Sequence, residues 1–136
     1  TSVYLKIGDV KYRLGNYEDA VVYLKKALTL KLNSQLHLDV LNKLGRTYSA
    51  MGQTESAIDA FKEAIKVYPT AVAPYNNLGV LYARTGQLDK AIETFQEALK
   101  IKERKDIYYN LANIYKEKGD TEKAIDAYKK YQSVAE

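Results

Sequence analysis

The chain has 136 residues, 46% hydrophobic and 28% charged, with two Pro, seven Gly and no Cys. This fits one ordinary domain and excludes a bilayer-spanning apolar run, a disulfide framework, thiolate metal ligands and a cysteine nucleophile. The formal charge of +4 lies mostly within residues 1–37 and includes no Lys/Arg run, so nucleic-acid binding is not expected.

The first residue is Thr1, and no charged-then-apolar leader precedes the first helical pattern. A fragment or processed form of a longer chain is therefore expected. No signal in the chain fixes a compartment, and a soluble, cytoplasmic location is the default. His37 is the lone histidine. Without a second His or a Cys to support it as a ligand or base, it reads as a polar residue in a connection.

Apolar residues at helical spacing predict helices near 2–14, 18–31, 39–51, 55–68, 73–85, 88–101, 106–118 and 122–134. Ile7-Gly8 opens the first pair. Gly15 follows at the turn, then Ala20, Leu24 and Ala27 on the second helix. The second pair repeats this as Leu44-Gly45, Tyr48, Gly52, Ala57, Phe61 and Ala64. The third runs Leu78-Gly79, Tyr82, Gly86, Ala91, Phe95 and Ala98, and the fourth Leu111-Ala112, Tyr115, Gly119, Ala124, Tyr128 and Tyr131. The Leu-Gly/Ala unit recurs at steps of 37, 34 and 33 residues. The longer first step places an insertion within 32–37, expected to lengthen the second helix or loosen that turn.

Each turn Gly can take the positive φ of a helix C-cap. Asn16, Thr54, Asp120 and Thr121 follow as candidate N-caps. The small residues let helices approach closely, while Tyr4, Leu41, Tyr75 and Tyr108 and the Leu24/Phe61/Phe95/Tyr128 column fill the remaining volume. One helix pair cannot cover its own apolar face, so the pairs must stack. The expected fold is all-α: a right-handed superhelical solenoid of four helix–turn–helix units, one domain over 1–136 with repeats near 1–37, 38–71, 72–104 and 105–136. The first helices form its inner wall.

These offsets resemble the tetratricopeptide repeat (TPR), whose signature is an aromatic, Leu-Gly, Tyr, Gly, Ala, Phe, Ala and a closing Pro. The third unit matches it best, the second adds Pro69, and the resemblance covers essentially the whole chain. The fourth departs from it, with Ala112 for Gly, Tyr131 for Ala and Gln132 at a stacking position. A polar residue there suits the edge of an array.

The resemblance implies that extended peptides or partner helices lie on the inner face. At about 100° per residue, that face carries Ser2, Lys6, Asp9 and Arg13 and their equivalents, flanked by the columns of Leu5 and Tyr12. The candidate protein-binding residues are Tyr12, Asn42, Arg46, Asn76, Asn77, Arg84, Tyr109, Asn110 and Asn113. Asn can donate to and accept from a peptide backbone, Arg can hold a carboxylate bidentately, and Tyr and Arg are favoured interface anchors.

TPR domains that hold chaperone C-terminal tails use a two-carboxylate clamp. The clamp would need Lys and Asn where this chain has Leu5 and Asp9, Asn in place of Lys43, and Lys and Arg in place of Ala73 and Asn77. A one-unit shift of frame fails as well, so a chaperone clamp is not expected. The main expectation is a scaffold that binds a peptide or helix of another protein, without catalysis, cofactor, metal or membrane insertion. The alternatives are self-association through the array ends and an accessory role in a larger enzyme or complex.

Overall fold

Each repeat folds into a helix pair because its apolar positions recur on one stripe and a turn Gly interrupts the period. The computed structural model describes residues 3–134. Among them are eight helices: α1 (Val3–Arg13), α2 (Tyr17–Leu28), α3 (Ser34–Ala50), α4 (Thr54–Val67), α5 (Val72–Arg84), α6 (Leu88–Ile101), α7 (Lys105–Lys118) and α8 (Thr121–Ser133). The chain divides into two compact units, Thr1–Pro69 and Thr70–Glu136. Each unit holds two helix pairs.

Gly52 and Gly119 show why the turns are built as they are. Their φ values are +77° and +83°, a left-handed region that a side chain makes costly. At Gly119 this reverses the chain directly after α7, and its N–H caps the carbonyls of Lys116 and Tyr115.

In the first unit α1 packs on α2, α3 on α4, and α2 on α3. The core joins Leu5, Leu24, Ala27, Val40 and Leu44, with Leu32 and Leu36 packed against it. The insertion therefore does not lengthen the second helix, which ends at Leu28; it extends α3 backwards to Ser34. Two apolar residues of the inserted stretch supply the reason, since Leu32 and Leu36 reach the core. Asn33 caps the extended helix by accepting from the Leu36 N–H at 2.8 Å. His37 consequently lies inside α3, half-buried, with Nδ1 2.6 Å from Tyr68 Oη. It is not a residue of a connection.

Phe61 and Gly45 fit as a pair. A Cβ on Gly45 would stand 2.4 Å from Phe61 Cε1, so the fully buried ring occupies the place a side chain would take. Burying such a ring is worth about 1.5–3 kcal/mol.

In the second unit α5 pairs with α6 and α7 with α8; α6 packs on α7, and α5 also touches α7. Phe95 is wholly buried against Gly79, where a Cβ would meet its ring at 2.7 Å. The last pair breaks this match. Ala112 stands in the glycine column, and Tyr128, expected in the packed column, is 47% exposed. Its ring instead stacks on Tyr131 at 5.5 Å. Tyr108, near the start of α7, donates to Glu103 Oε1 at 2.7 Å. Burial, reinforced by that carboxylate, pushes its phenol up to about 12.

Candidate protein-binding face

The first helix of each pair buries its Leu-Gly stripe and leaves the opposite side free for contacts. In the first unit that side forms a narrow cleft between α1 and α3, lined by Gly8, Asp9, Tyr12, Leu24, Lys43, Arg46 and Thr47. Thr47 is wholly buried and satisfied within its own helix, donating to the Lys43 carbonyl at 2.6 Å. Across the mouth, Lys43 Nζ lies 3.0 Å from Asp9 Oδ1. The Arg46 guanidinium stands 5.9 Å from the centre of the Tyr12 ring, and that ring also contacts Tyr17 at 5.4 Å. A partly exposed ion pair is worth about 0–1 kcal/mol and an exposed cation–π contact about 0.5–1 kcal/mol. Their stability is small. What they do is occupy space, and the cleft volume is about 30 Å³.

The second unit has the same cleft between α5 and α7, with a volume of about 180 Å³. Val80, Ala83, Phe95 and Ile114 give it an apolar floor and wall, and Arg84, Asn110, Asn113 and Glu117 its polar edges. Val80 and Asn110 stand here where Asp9 and Lys43 pair in the first unit.

The candidates from the sequence therefore separate. Tyr12 and Arg46 meet at the first cleft, while Arg84, Asn110 and Asn113 gather at the second. Asn42, Asn76 and Asn77 are half-buried on their helices. The side-chain carbonyl oxygens of Asn42 and Asn76 are buried without a hydrogen-bond partner. Tyr109 turns away from the second cleft and contacts the Tyr131 ring at 5.3 Å. Lys105 Nζ lies 5.0 Å over that same ring. Ser2, placed on this face by the sequence, lies outside the described residues.

Phe95 and Ile114 were missed as cleft residues. Their sequence signal assigns them entirely to packing, and only the tertiary fold shows that they lie beneath a cleft. Lys43 and Asp9 were placed on the inner face, but nothing in their spacing indicates that they pair with one another across two helices.

A family model described as tetratricopeptide repeat matches residues 1–70 and again residues 71–136. The chain belongs to the tetratricopeptide repeat family. Among curated proteins it is similar to a TPR repeat-containing protein of Methanocaldococcus jannaschii, 33% identical over 64 residues, or 47% of this chain. The match spans only 11% of that relative's length. Among solved structures, MamA superposes with a TM-score of 0.83 at 29% identity, over 95% of this chain and 74% of the other. YrrB, described as a TPR protein with an unusual peptide-binding site, has a TM-score of 0.75 at 23% identity over 94% of this chain and 65% of its own. That second likeness is one of fold. TPR repeats generally serve as non-catalytic scaffolds for protein interaction, and this chain has that scaffold. No helix among the described residues is long and apolar enough to cross a membrane.

Proposed function

We propose that this TPR chain is a scaffold that holds a peptide segment or helix of a partner protein on the exposed faces of its first helices. The observation that carries the reading is the open cleft of the second unit. Its apolar floor lies beside Asn110 and Asn113, which offer donors and acceptors to a peptide backbone. Arg46, Asn77 and Arg84 are the contacts to remove first, because each lies on a first helix and carries a polar head suited to a partner's carboxylate or backbone.

The test is a triple substitution, Arg46→Ala, Asn77→Ala and Arg84→Ala. A partner isolated with the wild-type chain should lose binding to the variant, while the far-ultraviolet circular dichroism stays that of the wild type. Undiminished capture by a fully helical variant would remove the assignment to this face.

A second reading, self-association, is favoured by one specific feature. Tyr109 and Tyr128 are 46% and 47% exposed, and both rings contact Tyr131. Exposed aromatic clusters of this kind are commonly interaction surfaces.

A further inference from the structure

Each unit contains one junction between successive helix pairs, α2 on α3 in the first and α6 on α7 in the second. In α3 the stripe Val40, Leu44 and Thr47 is at most 4% exposed, and Val40 and Leu44 share a core with Val21 and Leu24 of α2. The same stripe in α7 is Ile107, Leu111 and Ile114, at most 5% exposed. Its copy in α1 lies 37 residues before that of α3, as Val3, Ile7 and Val10, and Leu14 continues it at helical spacing. There it is bare: Val3, Val10 and Leu14 are 67%, 51% and 68% exposed.

The other half of the junction is bare on α8. Val21 and Leu24 of α2 have Ile92 and Phe95 in their places on α6, and all four are half-buried or buried. On α8 the equivalents are Ile125 and Tyr128, 50% and 47% exposed. Ala112 accounts for the displaced Tyr128 ring but not for Ile125, which has the same side chain as Ile92. An array end built to stay in water carries a polar outer face, and a stripe of four aliphatic residues on α1 is the opposite of that.

We infer that copies of this chain stack head to tail, the α1 stripe of one copy seated on the Ile125–Tyr128 face of another's α8 as α3 is seated on α2. This deepens the self-association reading, on which it rests, by giving the tyrosine cluster its counterpart surface. A second copy fits because each bare face is the missing half of the other, in a junction the chain already builds within both units.

Charge is close to neutral for this joint. In the first unit Tyr12 of α1 meets Arg46 of α3, and Lys25 of α2 lies over the Tyr48 ring. With α7 and α8 in the places of α1 and α2, Lys116 faces the next copy's Asp9, and Lys129 faces its Lys11. One encounter attracts and the other repels. Both are softened by existing partners, Lys43 on Asp9 and Asp19 on Lys11. The apolar stripes therefore carry the association. Tyr131 stands where Ala27 and Ala98 let the helices close at the internal junctions, so the joint is looser than those and belongs with small, transient interfaces.

Sedimentation velocity on the full chain tests this with one variant blocked at each end. Val3→Lys/Val10→Lys blocks α1, and Ile125→Lys/Tyr128→Lys blocks α8. All four positions are exposed, so both variants are expected to keep the wild-type circular dichroism. The wild-type mass should climb past that of a dimer as concentration rises, because a heterologous joint always leaves a free end. Each variant alone should associate at least about tenfold more weakly, since a charge in an apolar joint loses its water. Mixed, the two should form a one-to-one dimer that grows no further, because only one α8 face and one α1 stripe remain open.

Association of the α1-blocked variant alone at the wild-type level would overturn the head-to-tail joint and leave the tyrosine cluster meeting its own copy. A mixture that stays monomeric while the wild type associates overturns it as well. A wild-type chain that is monomeric throughout removes self-association altogether. If a charged variant loses helicity, the absence of native cysteine provides a second measurement. Val3→Cys and Ile125→Cys copies, mixed and mildly oxidised, should form the mixed disulfide in excess of random pairing, and random pairing counts against the joint equally.

Discussion

At the scale of single residues, the packing follows one complementarity. Where the first helix has glycine, the second can bury an aromatic ring; where it has alanine, the ring stays out. Gly45 with Phe61 and Gly79 with Phe95 are the first case, and Ala112 with the exposed Tyr128 is the second. Gly45→Ala is therefore expected to destabilise the chain. The gain of about 1 kcal/mol in helix propensity is outweighed by overpacking of about 1–3 kcal/mol against a ring that has nowhere to go. Adding Phe61→Leu should recover part of the loss, because a Cβ at Gly8 would press on Leu24 at 3.1 Å, tight but less severe than the approach to the Phe61 ring. Denaturant unfolding of the single and double variants measures this, and strictly additive losses would contradict the steric account.

Among the elements, α3 shows how a local insertion is absorbed. Residues 34–37 join the front of α3 because Asn33 can cap and Leu32 and Leu36 can reach the core. Asn16, at the equivalent place before α2, makes no such side-chain hydrogen bond. Asn33→Ala should thus cost about 0.5–2 kcal/mol, while Asn16→Ala should stay within about 0.5 kcal/mol. Urea midpoints of the two variants check the difference; equal losses would show that the Asn33 cap is not what holds the start of α3. Asp120 belongs with Asn33, since it accepts from the Lys123 N–H at 3.2 Å. Of the candidate caps read from the sequence, Asp120 makes its bond, and Asn33 was not among them.

For the whole molecule, the self-association reading places the joint between copies of the chain at the tyrosine cluster of α7 and α8. A patch on one surface that meets a different surface of the next copy makes a heterologous contact, which can propagate. If it does, light scattering should report a mass that rises with concentration and falls back when Tyr128 and Tyr131 are both changed to Ser. A constant monomer mass across the series would end that reading and leave the partner-binding scaffold.

The repeat was legible because each position in it has a reason that acts along the chain. Small residues permit close approach, turn glycines permit positive φ, and apolar residues at period 3.6 demand burial. Four registers in agreement therefore determined the all-helical TPR architecture, and the observed helices differ from the predicted ones mainly at α3. The candidate face was legible only as a set of exposed columns. Which of those residues meet was decided by the tertiary structure, because the Asp9–Lys43 bridge, the Arg46–Tyr12 contact and the Phe95 floor each join different helices. A column of the repeat says where a side chain stands on its own helix. The width of a cleft depends on what faces it from the next one.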